Sequence, residues 1–349
     1  MQLAWKHIQT HPRQKWRIAG TSGVTHFNRI IVRLGLDGLV GWGEAAPAST
    51  FQESPATVER CLRRIKKTGL PRDPMGLEEI EARLLRAGPA DGSARAAVEM
   101  AAHDLRGKIL KRPLWAILGL DPAKAPLTCY SIGIDDLEVM RQKVRAARRY
   151  PVLKIKVGTP YDEAILRMIR KERPRATIRV DANEGWTLRE AVKKMEFMRR
   201  LGVEYVEQPL PAAVPADLAR LHRRSRLPVI LDESVKTSAD VPRVAGLCDG
   251  VNLKLMKCGG IREAIRIIHT ARACGLKIML GCMIETSLAI TAASHIAALV
   301  DYVDLDGALL LGDDPFRGAD WTGGRLRMGD APGLGVRPVR ADVKSGWTD

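Results

Sequence analysis

The 349-residue chain has no long apolar run. Nothing in it approaches the ~20 residues that span a bilayer. The opening "MQLAWKHIQTHPRQKWR" has no apolar block behind its charges, so neither a membrane anchor nor a signal peptide is expected. Paired cysteines are missing too: the six, at 61, 129, 248, 258, 274 and 282, form no C-x-x-C. They read as reduced thiols of a cytoplasmic protein, mostly packed as small apolar groups. No His/Cys cluster has zinc spacing, and there is no G-x-S-x-G and no P-loop. Acidic residues are in deficit, 40 against 56 basic, for a net charge of +16. That balance invites a nucleic-acid reading. The basic residues, however, fall in helical patterns such as "RQKVRAARR" (141–149) and "RMIRKERPR" (167–175). They read as solvated helix surface, and no nucleic-acid motif accompanies them.

What is present is a repeat. From residue 127 on, eight short β-type runs recur: 127–133, 152–158, 177–183, 203–209, 227–234, 250–256, 276–282 and 302–307. Helical stretches such as "TLREAVKKMEFMRRLG" and "GIREAIRIIHTARACG" separate them. Strand–helix alternation implies parallel strands with crossover helices, and eight of them imply a closed α/β barrel. An open doubly wound sheet would carry a glycine-rich loop after its first strand, and none follows "LTCYSIG". The first ~120 residues differ. "NRIIVRLGLDGLVGWGEAAP" (28–47) reads as a hairpin turning at Asp37-Gly38. Helices are expected at 54–68, 77–87 and 93–110, the last opening on a Ser93 N-cap. The expected organisation is an α+β capping domain (1–122), a barrel (123–320) and a tail (321–349) packing back on the capping domain.

Barrel active sites lie at the C-terminal ends of the strands. The third, fourth and fifth runs each end in a carboxylate: Asp181, Glu207 and Asp232, spaced by 26 and 25 residues. Neighbouring strands lie about 5 Å apart, so three acids at one level converge. Like charges so placed are costly without a cation, and an all-oxygen set suits Mg²⁺. Lys156 ends the second run and Lys254 the sixth, diametrically opposite in an eight-strand ring. A substrate between them meets one amine on each face, the geometry for removing a proton from carbon on one side and returning it on the other. In "VLKIKVG", Lys154 shares a face with Lys156, and its charge is expected to depress the Lys156 pKa. "VDLDG" places Asp304 and Asp306 on one face at the last strand end, a pair suited to a substrate ammonium. Glu285, after the seventh run, is either a wall residue or a helix N-terminal acid. The seven histidines, His269 and His295 among them, fall outside the strand ends.

Taken together, K-x-K, "DANEGW", "EQP", "DES" and "KLMKCGG" in this order resemble the enolase superfamily, specifically its muconate-lactonizing-enzyme subgroup. The resemblance spans nearly the whole chain. It implies a (β/α)₇β barrel with an N-terminal capping domain completed by the C-terminal tail. It also implies one Mg²⁺ per subunit held by Asp181, Glu207 and Asp232, with Lys156 and Lys254 as the acid/base pair and Asn183 and Glu233 supporting the ligands. The D-x-D pair, with "GCMIETSLAITAASHIAA", is similar to dipeptide epimerases, where the pair holds the dipeptide ammonium and the C-terminal residue is inverted. Lys154 and the loop residues Thr21 and Ser22 are then substrate contacts. In that loop, "RIAGTSGVTHF", Ala-Glu epimerases tend to carry an arginine where this chain has Gly20 to Gly23, which leaves the accepted side chain open. The alternative is an o-succinylbenzoate synthase or muconate cycloisomerase type of enzyme on the same scaffold. The expected partners are a dipeptide and further copies of the chain in a homo-oligomer, with no nucleic acid and no membrane.

Overall fold

The computed structural model describes residues 1–347. Three strands, β1 (Gln2–Thr10), β2 (Phe27–Leu36) and β3 (Leu39–Ala45), form an antiparallel sheet in that order. Leu36 faces Leu39 across the turn, and Asp37 and Gly38 take φ of 48° and 79°. This is the left-handed pair that a two-residue hairpin requires. In β2, Ile30, Val32 and Leu34 face one way and Ile31 the other, all fully buried. The first three pack on α1 (Pro55–Thr68), α2 (Leu77–Ala87) and α3 (Gly92–Ile109), while Ile31 joins the barrel core. Each such side chain contributes roughly 1.5–3 kcal/mol by leaving water. β1 was not among the expected elements. It is a sheet edge, and its register comes from pairing along β2 rather than from its own pattern.

α3 lies between the capping sheet and the barrel. Gly43 permits this approach, since a Cβ there would stand 1.8 Å from the Ala97 carbonyl oxygen. The helix starts at Gly92 behind Asp91, so Ser93 is inside it and not its N-cap. Glu53 replaces the expected hydroxyl cap by accepting from the Ser93 N–H at 2.9 Å. On the barrel side, Glu99 accepts from the N–H groups of Ile261 (2.7 Å) and Arg262 (2.9 Å). Gly260, at φ 139°, leaves room for that carboxylate. The Gly-Gly of "KLMKCGG" is thus where the capping domain docks behind the sixth barrel strand.

The barrel strands are β4 (Tyr130–Ile132), β5 (Val152–Lys156), β6 (Thr177–Asp181), β7 (Val203–Glu207), β8 (Val229–Leu231), β9 (Gly250–Leu253), β10 (Lys277–Gly281) and β11 (Tyr302–Asp304). They are parallel and ordered β4 to β11 without exchange. A parallel bridge between Thr128 and Val303 closes the ring. The run 250–256 is shorter than its sequence suggests: it leaves the strand at Leu253 and turns into a short helix, Leu255–Cys258.

The tail crosses to the capping domain. The Trp347 ring meets Trp42 edge-on at 5.5 Å, and Lys6 donates to the carbonyls of Asp342 and Ser345. Leu334 N–H donates to Asp104 at 2.8 Å. The basic helices behave as solvated surface. Arg141 and Arg145 both pair with Glu172, and Arg199 and Arg200 with Glu196. Among the described residues no helix is long and apolar enough to cross a membrane.

Candidate active site

Inward-facing residues fill the barrel in levels, as alternation along each strand dictates. The lower interior holds Tyr205, Ile230, Met279 and Tyr302, with the Arg179 guanidinium 5.4 and 5.1 Å from the two tyrosine rings. Towards the C-terminal ends of the strands the lining turns polar: Lys154, Lys156, Asp181, Glu207, Asn252 and Asp304, all buried. Asp181 is opposite both Lys156 and Glu207 in the sheet register. Asp232 is not level with them. Glu207 pairs with Ile230, so Asp232 stands two residues higher, just past the end of β8. This stagger is the shear of a closed barrel.

Lysines and acids interlock here. Lys156 Nζ lies 2.5 Å from Asp181. Lys154 Nζ lies 2.7 Å from Asp304, 2.8 Å from Glu207 and 3.1 Å from Asp181. Lys254 reaches the other side of the acid cluster and meets Asp232 at 2.7 Å. Lys257 donates to Asp232 Oδ1 (2.5 Å) and to the carbonyls of Asp232 and Asn252. The two lysines of K-x-K therefore do not simply repel each other: each ammonium is absorbed by carboxylates. Lys154, 1% exposed and tied to three acids, braces the site from the edge of the cavity above it. Burial opposes its charge, but Asp304 and Glu207 outweigh that and hold its pKa well above the usual value. Burial likewise opposes the charge of Lys254, and Asp232 and Glu207 override it upward.

The acids respond differently. Burial disfavours the charge on Asp181, yet Lys156 and Lys154 bring its pKa down to about 2. Asp232 is held far below the carboxylate range by Lys254 and Lys257, against its burial. Glu207 is pushed up to about 7 by burial and by Asp181. Its Oε1 accepts from Asn252 at 2.8 Å, while Oε2 has no hydrogen bond, only its ion-pair contact with Lys154. Among the described residues no three acids already stand in a chelating group. The donor chemistry nevertheless fits a hard cation. The donors are buried carboxylate oxygens, one lacks a hydrogen bond, and no thiol or imidazole is among them.

Above this floor is a cavity of about 590 Å³, lined in part by Lys156, Asn183, Asp232, Glu233 and Lys254. Lys156 at the end of β5 and Lys254 just past the end of β9 thus border one space, from strands second and sixth in the ring. Asp304 and Asp306 border it too. Asp304 ends β11, but Asp306 lies beyond the strand, so alternation does not align them. Asp304 is spent on Lys154 and on the Cys129 thiol. Asp306 accepts from the Ser131 N–H at 2.5 Å, and burial and Asp304 push it up to about 7.

Asn183 takes φ 41°, its N–H bonds Asp181 at 2.9 Å, and its amide meets Glu233 at 3.4 Å. Thr21 borders the cavity with its hydroxyl turned to the Ile18 carbonyl, whereas Ser22 is exposed and outside the lining. Glu285 is not a wall residue. It is buried and turns back to accept from the Met283 N–H at 2.8 Å, one residue before the N-cap Thr286.

Sequence reasoning passed over Asn252 and Gln208 and set Lys257 aside in favour of its neighbour Lys254. Asn252 is two residues before Lys254, hence on the same face, and that signal was available. Gln208 accepts from the Asp232 N–H and donates to the Leu210 carbonyl, tying the ends of β7 and β8 together. Its φ of 34° has no signature in the sequence.

Two family models cover the chain: mandelate racemase/muconate lactonizing enzyme, N-terminal domain, over residues 7–119, and enolase C-terminal domain-like over 138–342. An L-Ala-D/L-amino acid epimerase of Pedosphaera parvula is 42% identical over 334 residues, 93% of this chain and 95% of that protein. A hydrophobic dipeptide epimerase of Roseobacter litoralis is 40% identical over 317 residues, 88% of this chain and 91% of that protein. The solved structure of a dipeptide epimerase from Enterococcus faecalis with Mg and L-Leu-L-Tyr superposes with a TM-score of 0.91 at 30% identity, covering 96% of this chain and 98% of that one. With both models matched in order and relatives of this identity along most of its length, the chain belongs to the mandelate racemase/muconate lactonizing enzyme family of the enolase superfamily.

Proposed function

We propose that the protein is a Mg²⁺-dependent dipeptide epimerase that inverts the α-carbon of the C-terminal residue by 1,1-proton transfer. The observation that carries this reading is that Lys156 and Lys254, from opposed strands, border one cavity that also holds Asp306. Asp181, Glu207 and Asp232 would hold the ion, which supplies a Lewis acid to stabilise the enediolate of the substrate carboxylate. One lysine takes the α-proton as a neutral amine, and the opposite lysine, as an ammonium, delivers a proton to the other face. Asp306 holds the dipeptide ammonium, with Asp304 beside it fixed by Lys154. Asn183 steadies Asp181 from the cavity rim and is itself held by Glu233.

Besides the acids and lysines, the cavity lining includes the apolar Trp16, Ile18, Val24, Phe27, Phe51 and Ile284, interspersed with polar residues such as His26 and Asn28. Arg29 and Glu53 border it, but Arg29 is spent on backbone carbonyls and Glu53 on the Ser93 N–H. No free arginine or lysine faces a glutamate side chain from this part of the lining among the described residues. This lining disfavours a glutamate side chain, and its apolar members suit an apolar one, as the name of the hydrophobic dipeptide epimerase of R. litoralis suggests for that relative. The same reading puts the enzyme in the cytoplasm as a homo-oligomer; its six cysteines, all free thiols, suit a reducing compartment.

The test is incubation of the protein with Mg²⁺ and a panel of L,L-dipeptides in D₂O. Deuterium enters the α-carbon of the C-terminal residue while the D-epimer accumulates. EDTA stops both, and added Mg²⁺ restores them. Absence of α-deuteration across the whole panel sinks the reading.

Asp306→Asn separates an epimerase from a lyase or cycloisomerase, whose substrates carry no ammonium. A charge-assisted hydrogen bond to the ammonium is lost, so KM rises by roughly 10²-fold, with a smaller change in kcat. Steady-state kinetics on the best dipeptide check this, and an unchanged KM removes Asp306 from substrate binding.

A further inference from the structure

We infer that Arg29 and Glu44, two buried residues of the capping sheet, are positioning residues that set substrate side-chain selection by clamping the barrel loop 282–286. The inference rests on the epimerase reading. The loop follows β10, and its Cys282, Met283 and Ile284 line the cavity.

Arg29 grips the loop by its backbone. Its Nε donates to the Ile284 carbonyl at 3.1 Å, Nη2 donates to the same oxygen, and Nη1 donates to the Asn28 carbonyl at 2.7 Å. Although Arg29 borders the cavity, all three nitrogens are committed, so it acts as an anchor and not as a counter-ion for substrate. Glu44 holds the other end. It accepts from the Thr286 N–H (3.0 Å), the Thr286 hydroxyl (2.5 Å) and the Ala289 N–H (3.3 Å). Thr286 is the N-cap of the helix Ser287–Ser294: its hydroxyl accepts from the Leu288 N–H, Asp314 takes the Ser287 N–H, and Glu44 takes that of Ala289.

Arg29 Nε and Glu44 Oε1 are 3.6 Å apart, so the two anchors form one buried unit with side chains 4% and 0% exposed. Glu285, turned inward beside them, is pushed up to about 8 by burial and by Glu44. From behind, Gly307 fits tightly against the loop: a Cβ there would stand 2.5 Å from the Met283 carbonyl oxygen. The loop backbone is held on both sides, at the Ile284 and Met283 carbonyls.

The test uses Arg29→Met, Glu44→Gln and Thr286→Val, with Arg29→Lys as the conservative variant. The substrates are L-Ala-L-Ala and L-Ala-L-Leu with saturating Mg²⁺. A displaced apolar wall changes discrimination between side chains differing by a few methylenes, a range of roughly 10–200-fold. The expected result is a change of at least about tenfold in the ratio of kcat/KM for the two dipeptides, carried by KM, with kcat within about threefold. Mg²⁺ affinity stays as in the wild type, and Arg29→Lys, which keeps one donor for Ile284, recovers part of the ratio. Thr286→Val removes the hydroxyl bond to Glu44 together with the N-cap bond to the Leu288 N–H, leaves the Thr286 N–H on Glu44, and keeps the test open if the larger changes fail to fold. A folded variant with the wild-type ratio, or one that loses both dipeptides in equal proportion, overturns the inference. A wild-type enzyme inactive on every dipeptide overturns the epimerase reading itself, a different outcome.

Discussion

Lys156→Ala and Lys254→Ala each abolish net epimerisation, lowering kcat by roughly 10³-fold or more, in the upper part of the range for a lost general acid or base. The two variants are not equivalent. Each keeps one amine on one face of the α-carbon. Each therefore still washes deuterium into the one epimer whose α-hydrogen faces the remaining lysine, and not into the other. The two variants have opposite preferences. NMR of each purified epimer in D₂O reads this directly. Both folds survive the change, because Asp181 keeps Lys154 and Asp232 keeps Lys257 as partners. Full epimerase activity in either variant, or washout of the same epimer by both, ends the two-lysine mechanism.

Asp232→Asn carries the second large effect, with two readouts. Asp232 is the candidate metal ligand that borders the cavity, so Mg²⁺ affinity falls at least about 100-fold and epimerisation is lost with it. Titration calorimetry measures the first, independently of turnover. Stability also falls. Lys257 is buried on all sides with Asp232 as its ion-pair partner, and burial already lowers its pKa. Removing the partner charge leaves a buried ammonium uncompensated, at a cost of roughly 3 kcal/mol. Urea denaturation reports that loss. In the double variant Lys257→Met/Asp232→Asn most of the stability returns while Mg²⁺ binding does not. An unchanged Mg²⁺ affinity in Asp232→Asn removes this residue from the metal site.

Much of this site was legible because strand alternation is local. Lys154 and Lys156 in one run, then Asp181, Glu207 and Asp232 at one-repeat spacing, share the inner face wherever a strand alternates. Asn252, two before Lys254, belongs to the same pattern. Legibility stopped where the strands stopped. Asp306 lies past β11, so its place beside Asp304 comes from the turn and from the Ser131 N–H, not from alternation. Asp232 stands higher than its spacing implies because closing a ring shears the register. Ser93 carries the right chemistry for an N-cap, but a carboxylate from another loop reached the site first.

The chain alone determined the architecture and the inventory of reacting groups, because apolar period, turn residues and strand-end chemistry are set within a few residues of one another. Which ammonium neutralises which acid, that Lys154 ties three acids together, and that the capping sheet grips the loop 282–286 were decided only by the tertiary structure. Those pairings join groups as far apart as Arg29 and Ile284, 255 residues distant in sequence. Their energies depend on burial and mutual geometry that exist only once the barrel has closed.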